Sequence, residues 1–380
     1  MKLLHTSDWH LGAMDGERSM HDDQVFFIDR IADIAREEKI DGILLAGDVY
    51  DRAVSSTDAV GLYDYAMKKL VLELGVPVIT IAGNHDSAER LASCSDLLQN
   101  VGLHICGALE RAPRKVTLGN ADIYLLPWFT EQKARSLYPE QKQEIHTLED
   151  AYRVVCDHIR ADFVLGRCHI ALSHSYVSGS ETSTSDRAAE IGNAAVISGS
   201  VFEGFDYVAL GHIHKPQDVA ANIRYCGTPM AFSFGKEEQQ VKSVTILDTE
   251  TLERREVPLP QLHRRITLEA TFRELMSAEY PPEQLNGYVR LRVTDSFVDS
   301  VMHADLRSRF SNLLEVSGKS YEDENEGIRM TMEQFEELQE DPGKIFEHFC
   351  QDTAKVDEAD YEHLLGLFRE AMAAYEEENA

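Results

Sequence analysis

The sequence predicts an α/β protein, and three observations carry that prediction. Across the first 250 residues, short runs rich in Ile, Leu and Val alternate with amphipathic stretches of helical period. Turn residues bound these runs. Acidic, imidazole and amide side chains recur just past their ends, where open α/β sheets place ligand sites.

Six segments read as strands in order: Lys2–Ser7, Gly42–Ala46, Val76–Ala82, Ile123–Pro127, His169–Ser173 and Tyr207–Leu210. Asp22–Lys39 reads as a helix because Val25, Ile28, Ile31 and Ile34 or Ala35 share one face. Thr57–Leu74 reads as a second helix, stopped by Gly75 and Pro77. The two prolines and few large apolar residues of Pro258–Arg265 predict a linker. Beyond it, strand Ile266–Ala270, helix Phe272–Ala278, strand Tyr288–Thr294, helix Val301–Phe310 and a strand near Leu313–Val316 follow a βαβαβ order, read as a small α/β cap. From Thr331 the chain is acidic and helical. Asp357–Glu378 puts Tyr361, Leu364, Leu365, Phe368, Ala371, Met372 and Tyr375 on one stripe. The expected domains are 1–260, a capping domain at 261–330, and C-terminal helices at 331–380.

The totals are consistent with this division. A chain of 380 residues exceeds one ordinary core. Its 43% hydrophobic and 27% charged residues are the balance of a globular protein, and no apolar run of eighteen residues predicts a membrane helix. The N-terminal MKLLHTSDWHLG lacks the apolar h-region of a signal peptide and reads as mature sequence. Six scattered cysteines with no CxxC pair fit buried thiols in a reducing cytosol, so a cytoplasmic location is expected. The net charge of −29 alone argues against nucleic acid, whose binders usually present a basic face. The motifs overrule that reading.

Asp8 and His10 follow the first strand as D-x-H, Asp48 follows the second in GDVYD, and Asn84, His85 and Asp86 follow the third in GNHD. His174 ends the strand HIALS, and His212 and His214 follow YVAL in GHIH. Each has a bland reading alone: Asp8 as a turn residue, His174 as a core histidine, GNHD as a turn. Five unrelated turns would not all end in metal-ligand side chains. Carboxylates, imidazoles and one amide oxygen without thiolate suit Mn²⁺, Fe²⁺ or Zn²⁺, while Mg²⁺ prefers oxygen ligands. Asp48 could bridge two such ions about 3.5–4 Å apart, which together activate a shared water and neutralise a phosphate under in-line attack.

In this order, the motifs resemble the calcineurin-like metallophosphoesterase family. TSDWHLG (6–12), AGDVYD (46–51), IAGNHD (81–86), GHIHKPQ (211–217) and YCGTPMAFSFGK (225–236) resemble its SbcD nucleases, of the double-strand-break-repair nuclease group. The resemblance implies a four-layer α/β/β/α sandwich. It implies one ion on Asp8, His10, Asp48 and His214 and a second on Asp48, Asn84, His174 and His212, with Mn²⁺ as the expected metal. His85 matches the catalytic histidine, which protonates the leaving oxygen or stabilises charge on the phosphate, and Asp86 is expected to orient it. Asp51 stays outside this set. The resembled nucleases usually carry Glu after the glycine of FSFG, whereas here Lys236 precedes Glu237.

The activity so implied is 3′→5′ exonuclease action on duplex DNA and endonuclease action on single strands and hairpins. The implied partner is an SbcC-type SMC-like ATPase gripped by the C-terminal helices, around a homodimer within a heterotetramer. The rival reading is a small-substrate phosphodiesterase or phosphoprotein phosphatase. It needs the same metals but neither cap nor ATPase-binding helices.

Overall fold

The computed structural model describes residues 1–16, 18–183, 185, 196–319, 361 and 364–368. The chain divides into two compact units, Met1–Ser317 and Gly318–Ala380. The first contains two six-stranded sheets and a smaller three-stranded one.

In chain order the sandwich strands are β1 (Lys2–Thr6), β2 (Gly42–Leu45), β3 (Val78–Ile81), β4 (Leu103–Cys106), β5 (Lys115–Leu118), β6 (Ala121–Leu126), β7 (Cys168–His174), β8 (Tyr207–Gly211), β9 (Gln217–Ala220), β10 (Ile223–Tyr225), β11 (Ser243–Asp248) and β12 (Arg254–Pro258). The first sheet has the order β12-β11-β1-β2-β3-β4 and the second β9-β10-β8-β7-β6-β5. The six expected strands are β1, β2, β3, β6, β7 and β8. They form the parallel centres of both sheets, so their residues are apolar on both faces. The remaining strands escaped the sequence reading because edge strands β5, β9 and β12 alternate burial weakly and carry charge.

Alternate residues of each central strand serve different cores. Leu44 of β2 joins Leu3, Ile79, Ile123, Ile170 and Ala209 in the layer between the sheets. Its neighbours Ile43 and Leu45 face outward onto Ile28, Ile31 and Ala35 of α1 (His21–Glu37). Helix α2 (Thr57–Met67) covers the same face, capped by the Ser56 hydroxyl on the Ala59 N–H at 3.2 Å. The stretch expected as one helix changes character after Met67: Lys68–Glu73 is a π-helical turn ending before Gly75, whose φ is 71°. Outside the second sheet lies α3 (Leu148–Arg160), whose Val155 and Ile159 pack on Ala171 and Val208. The order helix, sheet, sheet, helix is the expected four-layer sandwich.

Pro258–Arg265 is only partly a linker. Pro258 ends β12, and Arg265 begins β13 (Arg265–Ala270) of the three-stranded sheet. That sheet runs parallel in the order β13, β14 (Tyr288–Val293), β15 (Leu313–Ser317). Helices α4 (Phe272–Ser277), α5 (Pro282–Asn286) and α6 (Ser300–Arg309) close a small core of Leu275, Val289, Leu291, Leu306 and Phe310. The buried carboxylate of Asp23 anchors this element to α1, accepting from the His263 backbone N–H at 3.1 Å and the Tyr288 hydroxyl at 2.5 Å. Of the expected C-terminal stripe, Tyr361, Leu364, Leu365 and Phe368 are helical and half-buried, while Leu367 is exposed. Ala371, Met372 and Tyr375 lie outside the described residues. Among the described residues no helix is long and apolar enough to cross a membrane.

Candidate active site

The site begins with sharp turns at strand ends. Asp8, His10, Asp48 and His212 have φ values of 53°, 44°, 48° and 102°, a left-handed region that side chains other than glycine rarely occupy. A lattice of backbone bonds imposes these turns. The Asp8 N–H donates to the Gly47 carbonyl and the His10 N–H to the Asp48 carbonyl, both at 3.0 Å, joining the loops after β1 and β2. The His212 N–H donates to Asp8 Oδ1 at 2.9 Å, joining the two sheets. Gly83 and Gly211 permit the closest approaches: a Cβ at Gly83 would lie 2.1 Å from Asp48 Oδ1, and one at Gly211 would lie 1.9 Å from the Ala46 carbonyl.

Asp48 stands at the centre. Its Oδ2 lies 3.4 Å from His174 Nε2, 3.8 Å from His10 Nε2 and 3.9 Å from His85 Nε2, and its Oδ1 accepts the His85 N–H at 2.9 Å. On one side, Asn84 Oδ1 is 2.8 Å from His174 Nε2 and 3.2 Å from His212 Nδ1. On the other, His10 Nε2 is 3.2 Å from His214 Nε2. Ligand atoms of Asp8, His10 and His214 lie within 4.8 Å of one another, as do those of Asp8, Asp48 and His174. A third such set is His10, Asp51 and His85. Asp8 and His174 are fully buried, and His10, Asp48, Asp51, His85, His212 and His214 open onto a cleft of about 220 Å³ walled also by Met14, Ser185 and Phe232.

The chemistry of these donors fits divalent cations. His174 Nδ1 lies 2.8 Å from the Ala46 carbonyl, which can only accept, so Nδ1 carries a proton. Its Nε2 then points at two oxygen acceptors, an arrangement that needs a proton or a metal ion between them. Without metal the ring takes the proton: burial would lower its pKa, but Asp48 and Asp8 carry it up to about 9. Burial also pushes the Asp8 carboxyl up to about 8, with His174 opposing and Asp48 adding to the rise. Among the described residues the ion-pair partners of Asp8 and Asp48 are histidines rather than Lys or Arg. Buried carboxylates so placed require positive charge from elsewhere. Burial holds His10 and His212 down near 3 and His214 well below the usual range, so these rings are neutral, the form that ligates metal. Among the described residues the buried His10 Nδ1 has no hydrogen-bond partner.

All seven expected ligands therefore meet at one end of the sandwich, with His85 beside them. Asp86 takes a different place from the one expected. Its carboxylate accepts three backbone N–H groups, from Gly83 at 2.8 Å, Tyr50 at 2.9 Å and Val49 at 3.1 Å, and thereby staples the loops after β2 and β3. The group that orients His85 is the Asp51 carbonyl, 2.8 Å from Nδ1. Three backbone donors converge on Asp86, so its charge is committed to them. Trp9 is core: its ring packs on Phe27 and its Nε1–H donates to Thr6 Oγ1 at 2.9 Å. Arg52 pairs with Asp51 and Lys215 with Glu181. The sequence reading missed Phe232, Ser185, Glu237 and Lys242. Ser185 lies in the polar run Ser178–Asp186, whose sequence fits either a solvent-exposed or a substrate-side loop, and its Oγ bonds His214 Nδ1 at 2.5 Å.

The sequence pattern of the calcineurin-like phosphoesterases matches residues 1–216. A Staphylococcus epidermidis protein named as the SbcD subunit of the SbcCD nuclease is 29% identical over 323 residues, 83% of this chain and 85% of its own. Its namesake in Staphylococcus saprophyticus subsp. saprophyticus is 28% identical over 327 residues, 85% and 86% of the two chains. A solved dimetal phosphatase from Danio rerio aligns with a TM-score of 0.38 at 13% identity, over 68% of this chain and 99% of that one. With its matched motifs gathered at one end of a two-sheet sandwich, this chain belongs to the calcineurin-like phosphoesterase family.

Proposed function

We propose that this protein is a metal-dependent DNA phosphodiesterase that works with an SbcC-type ATPase. The observation that carries the reading is the convergence of seven nitrogen and oxygen donors from five strand ends around Asp48. Asp8, His10, Asp48 and His214 would hold one ion, and Asp48, Asn84, His174 and His212 the second; the mixed donor set suits Mn²⁺, Fe²⁺ or Zn²⁺, and the motif resemblance favours Mn²⁺. When bound, two such ions activate water and neutralise a phosphodiester's charge.

The chain's own residues supply the remainder. Asp48 sits between the two ligand sets and fixes their spacing. His85 keeps Nδ1–H on the Asp51 carbonyl, so its Nε2 is the nitrogen free to move a proton, here to the leaving oxygen. Asp86 holds the two loops in register and acts on His85 only through that scaffold. The staphylococcal relatives are named as one subunit of a nuclease, which supports a nucleic-acid substrate and a second subunit; DNA and an SbcC-type ATPase are what the motif resemblance implies. The finer reading rests on the motif resemblance: 3′→5′ exonuclease on duplex ends, endonuclease on single strands and hairpins, a homodimeric assembly, residues 261–330 as a DNA cap, and residues 331–380 as the ATPase grip. The −29 charge is compatible with this reading because the substrate would meet cations at the cleft rather than a basic surface.

The test is a gel assay of the purified chain with Mn²⁺ on labelled hairpin and blunt duplex DNA, with bis-p-nitrophenyl phosphate alongside, with and without the ATPase. Mn²⁺-dependent DNA cleavage that rises with partner and ATP is the expected result. Turnover of the small ester with no DNA cleavage under any condition would instead establish a small-substrate phosphodiesterase. A chain lacking 331–380 should still hydrolyse the small ester but no longer co-purify with the ATPase.

A further inference from the structure

A buried charge pair lies behind the cleft wall, outside the ligand set. Glu237 and Lys242 are both fully buried, with Lys242 Nζ 3.4 Å from Glu237 Oε2. The Lys242 ammonium also donates to Thr228 Oγ1 at 2.8 Å and Gln240 Oε1 at 3.2 Å, and reaches the His214 carbonyl at 3.4 Å. Glu237 accepts the Phe232 N–H and the Ser233 hydroxyl, each at 2.9 Å, and the Ser185 hydroxyl on Oε1. Ser185 Oγ in turn meets His214 Nδ1 at 2.5 Å.

Donor arithmetic gives this chain of contacts one direction. An ammonium only donates and a carboxylate only accepts. Lys242 and the Phe232 N–H keep Glu237 ionised, so the single Ser185 proton is committed to Glu237 Oε1. Only lone pairs of Ser185 then remain for His214, and the proton of that contact must come from His214 Nδ1. With Nδ1 protonated, the neutral ring has its lone pair on Nε2, the atom 3.2 Å from His10 Nε2 at the cleft. Buried ion pairs are seldom retained for stability, since an apolar pair of the same size often serves as well. A pair that sets which nitrogen of a ligand carries the proton has another use.

We propose that Glu237, neutralised by Lys242 and relayed through Ser185, is a positioning residue that fixes His214 as the Nδ1–H tautomer and turns its Nε2 lone pair to the cleft. The same carboxylate holds the Phe232 backbone, and the Phe232 ring lies 5.3 Å from that of His10, so one buried charge sets two walls of the site. The value of the tautomer to metal binding rests on the metal-centre reading above, but the tautomer itself does not.

The experiment uses the full chain labelled with ¹⁵N-histidine, without metal, read by long-range ¹H–¹⁵N correlation, followed by calorimetric titration with Mn²⁺. The variants are Ser185→Ala, Ser185→Thr and Glu237→Gln; His214→Ala assigns the resonance. Ser185→Ala should mix the His214 tautomers and weaken one Mn²⁺ site by roughly 10–100-fold. Ser185→Thr, which keeps the hydroxyl, should restore both readouts. Glu237→Gln supplies an amide donor that can reverse the Ser185 hydroxyl, moving His214 toward the Nε2–H form. An unchanged His214 tautomer in both Ser185→Ala and Glu237→Gln overturns the proposal. If the tautomer shifts in these variants but the unmodified chain binds no Mn²⁺, the relay stands and the metal-centre reading fails.

Discussion

Gly83→Ala probes the tightest approach to the Asp48 side chain. A methyl group there would lie 2.1 Å from Asp48 Oδ1 and 2.4 Å from the Asp48 backbone nitrogen. Ordinary contact begins near 3.4 Å, so the GNHD loop and Asp48 must separate by about 1.3 Å. The loop cannot simply retreat, because Gly83 N–H is held by Asp86 and His85 N–H by Asp48 itself. Asp48 therefore moves, and with it the carboxylate shared between both ligand sets. A misplacement of about 1 Å costs on the order of 100-fold in rate, or about 2.7 kcal/mol of transition-state stabilisation. The assay is kcat/KM on bis-p-nitrophenyl phosphate with Mn²⁺, paired with calorimetric counting of Mn²⁺ sites. Gly61→Ala is the internal control: a methyl group there meets nothing within 4 Å, and replacing glycine inside α2 should add about 0.5–1 kcal/mol of stability without changing rate. Near-normal kcat/KM and full Mn²⁺ stoichiometry in Gly83→Ala would refute the reasoning, since Asp48 could then be neither tightly held nor central.

Three further outcomes are expected. His85→Gln should bind Mn²⁺ and DNA normally yet lose cleavage by orders of magnitude, and normal cleavage would remove its assigned role. Asp86→Ala leaves three backbone N–H groups without their acceptor and should lower stability by about 3 kcal/mol, read by chemical denaturation; a change below about 0.5 kcal/mol would show that the staple is dispensable. Asp23→Ala should raise hydrogen exchange in β13 and β14 while the sandwich strands stay protected, because His263 and Tyr288 both lose their acceptor on α1. Uniform exchange across both regions would mean that the small element is held chiefly by other contacts.

Much of the architecture was legible because the central parallel strands are apolar on both faces, and such runs stand out in a sequence. The ligand motifs were legible because each falls immediately after one of those runs. What escaped has a common cause: it depends on partners distant in sequence. Asp86 looks like an orienting acid beside His85, and only the fold shows three backbone N–H groups from residues 49, 50 and 83 converging on it. Ser185 sits in a run of serines and threonines that is locally indistinguishable from a solvated loop. Glu237 and Lys242 occur in a charged stretch, KEEQQVK, where nothing local distinguishes the two buried members from the exposed ones. The π-helical turn at Lys68–Glu73 shares its composition with the helix it continues. The weakly patterned edge strands β5, β9 and β12 are recognised only by their pairing with neighbouring strands.

The origin of the ligands in both sheets has a consequence for how the molecule is made. Asp8, His10, Asp48 and Asn84 emerge from the first sheet, and His174, His212 and His214 from the second. The first sheet is itself incomplete until β11 returns to pair with β1, Leu247 opposite Leu3. The bond from His212 N–H to Asp8 Oδ1 spans 204 residues. Closing loops of that length is slow, and the chain pays the entropy before the contact rewards it. During synthesis, the ligand set cannot be complete until His214 has emerged and the second sheet has closed on the first. Assembly of the two sheets and assembly of the ligand set are therefore coupled.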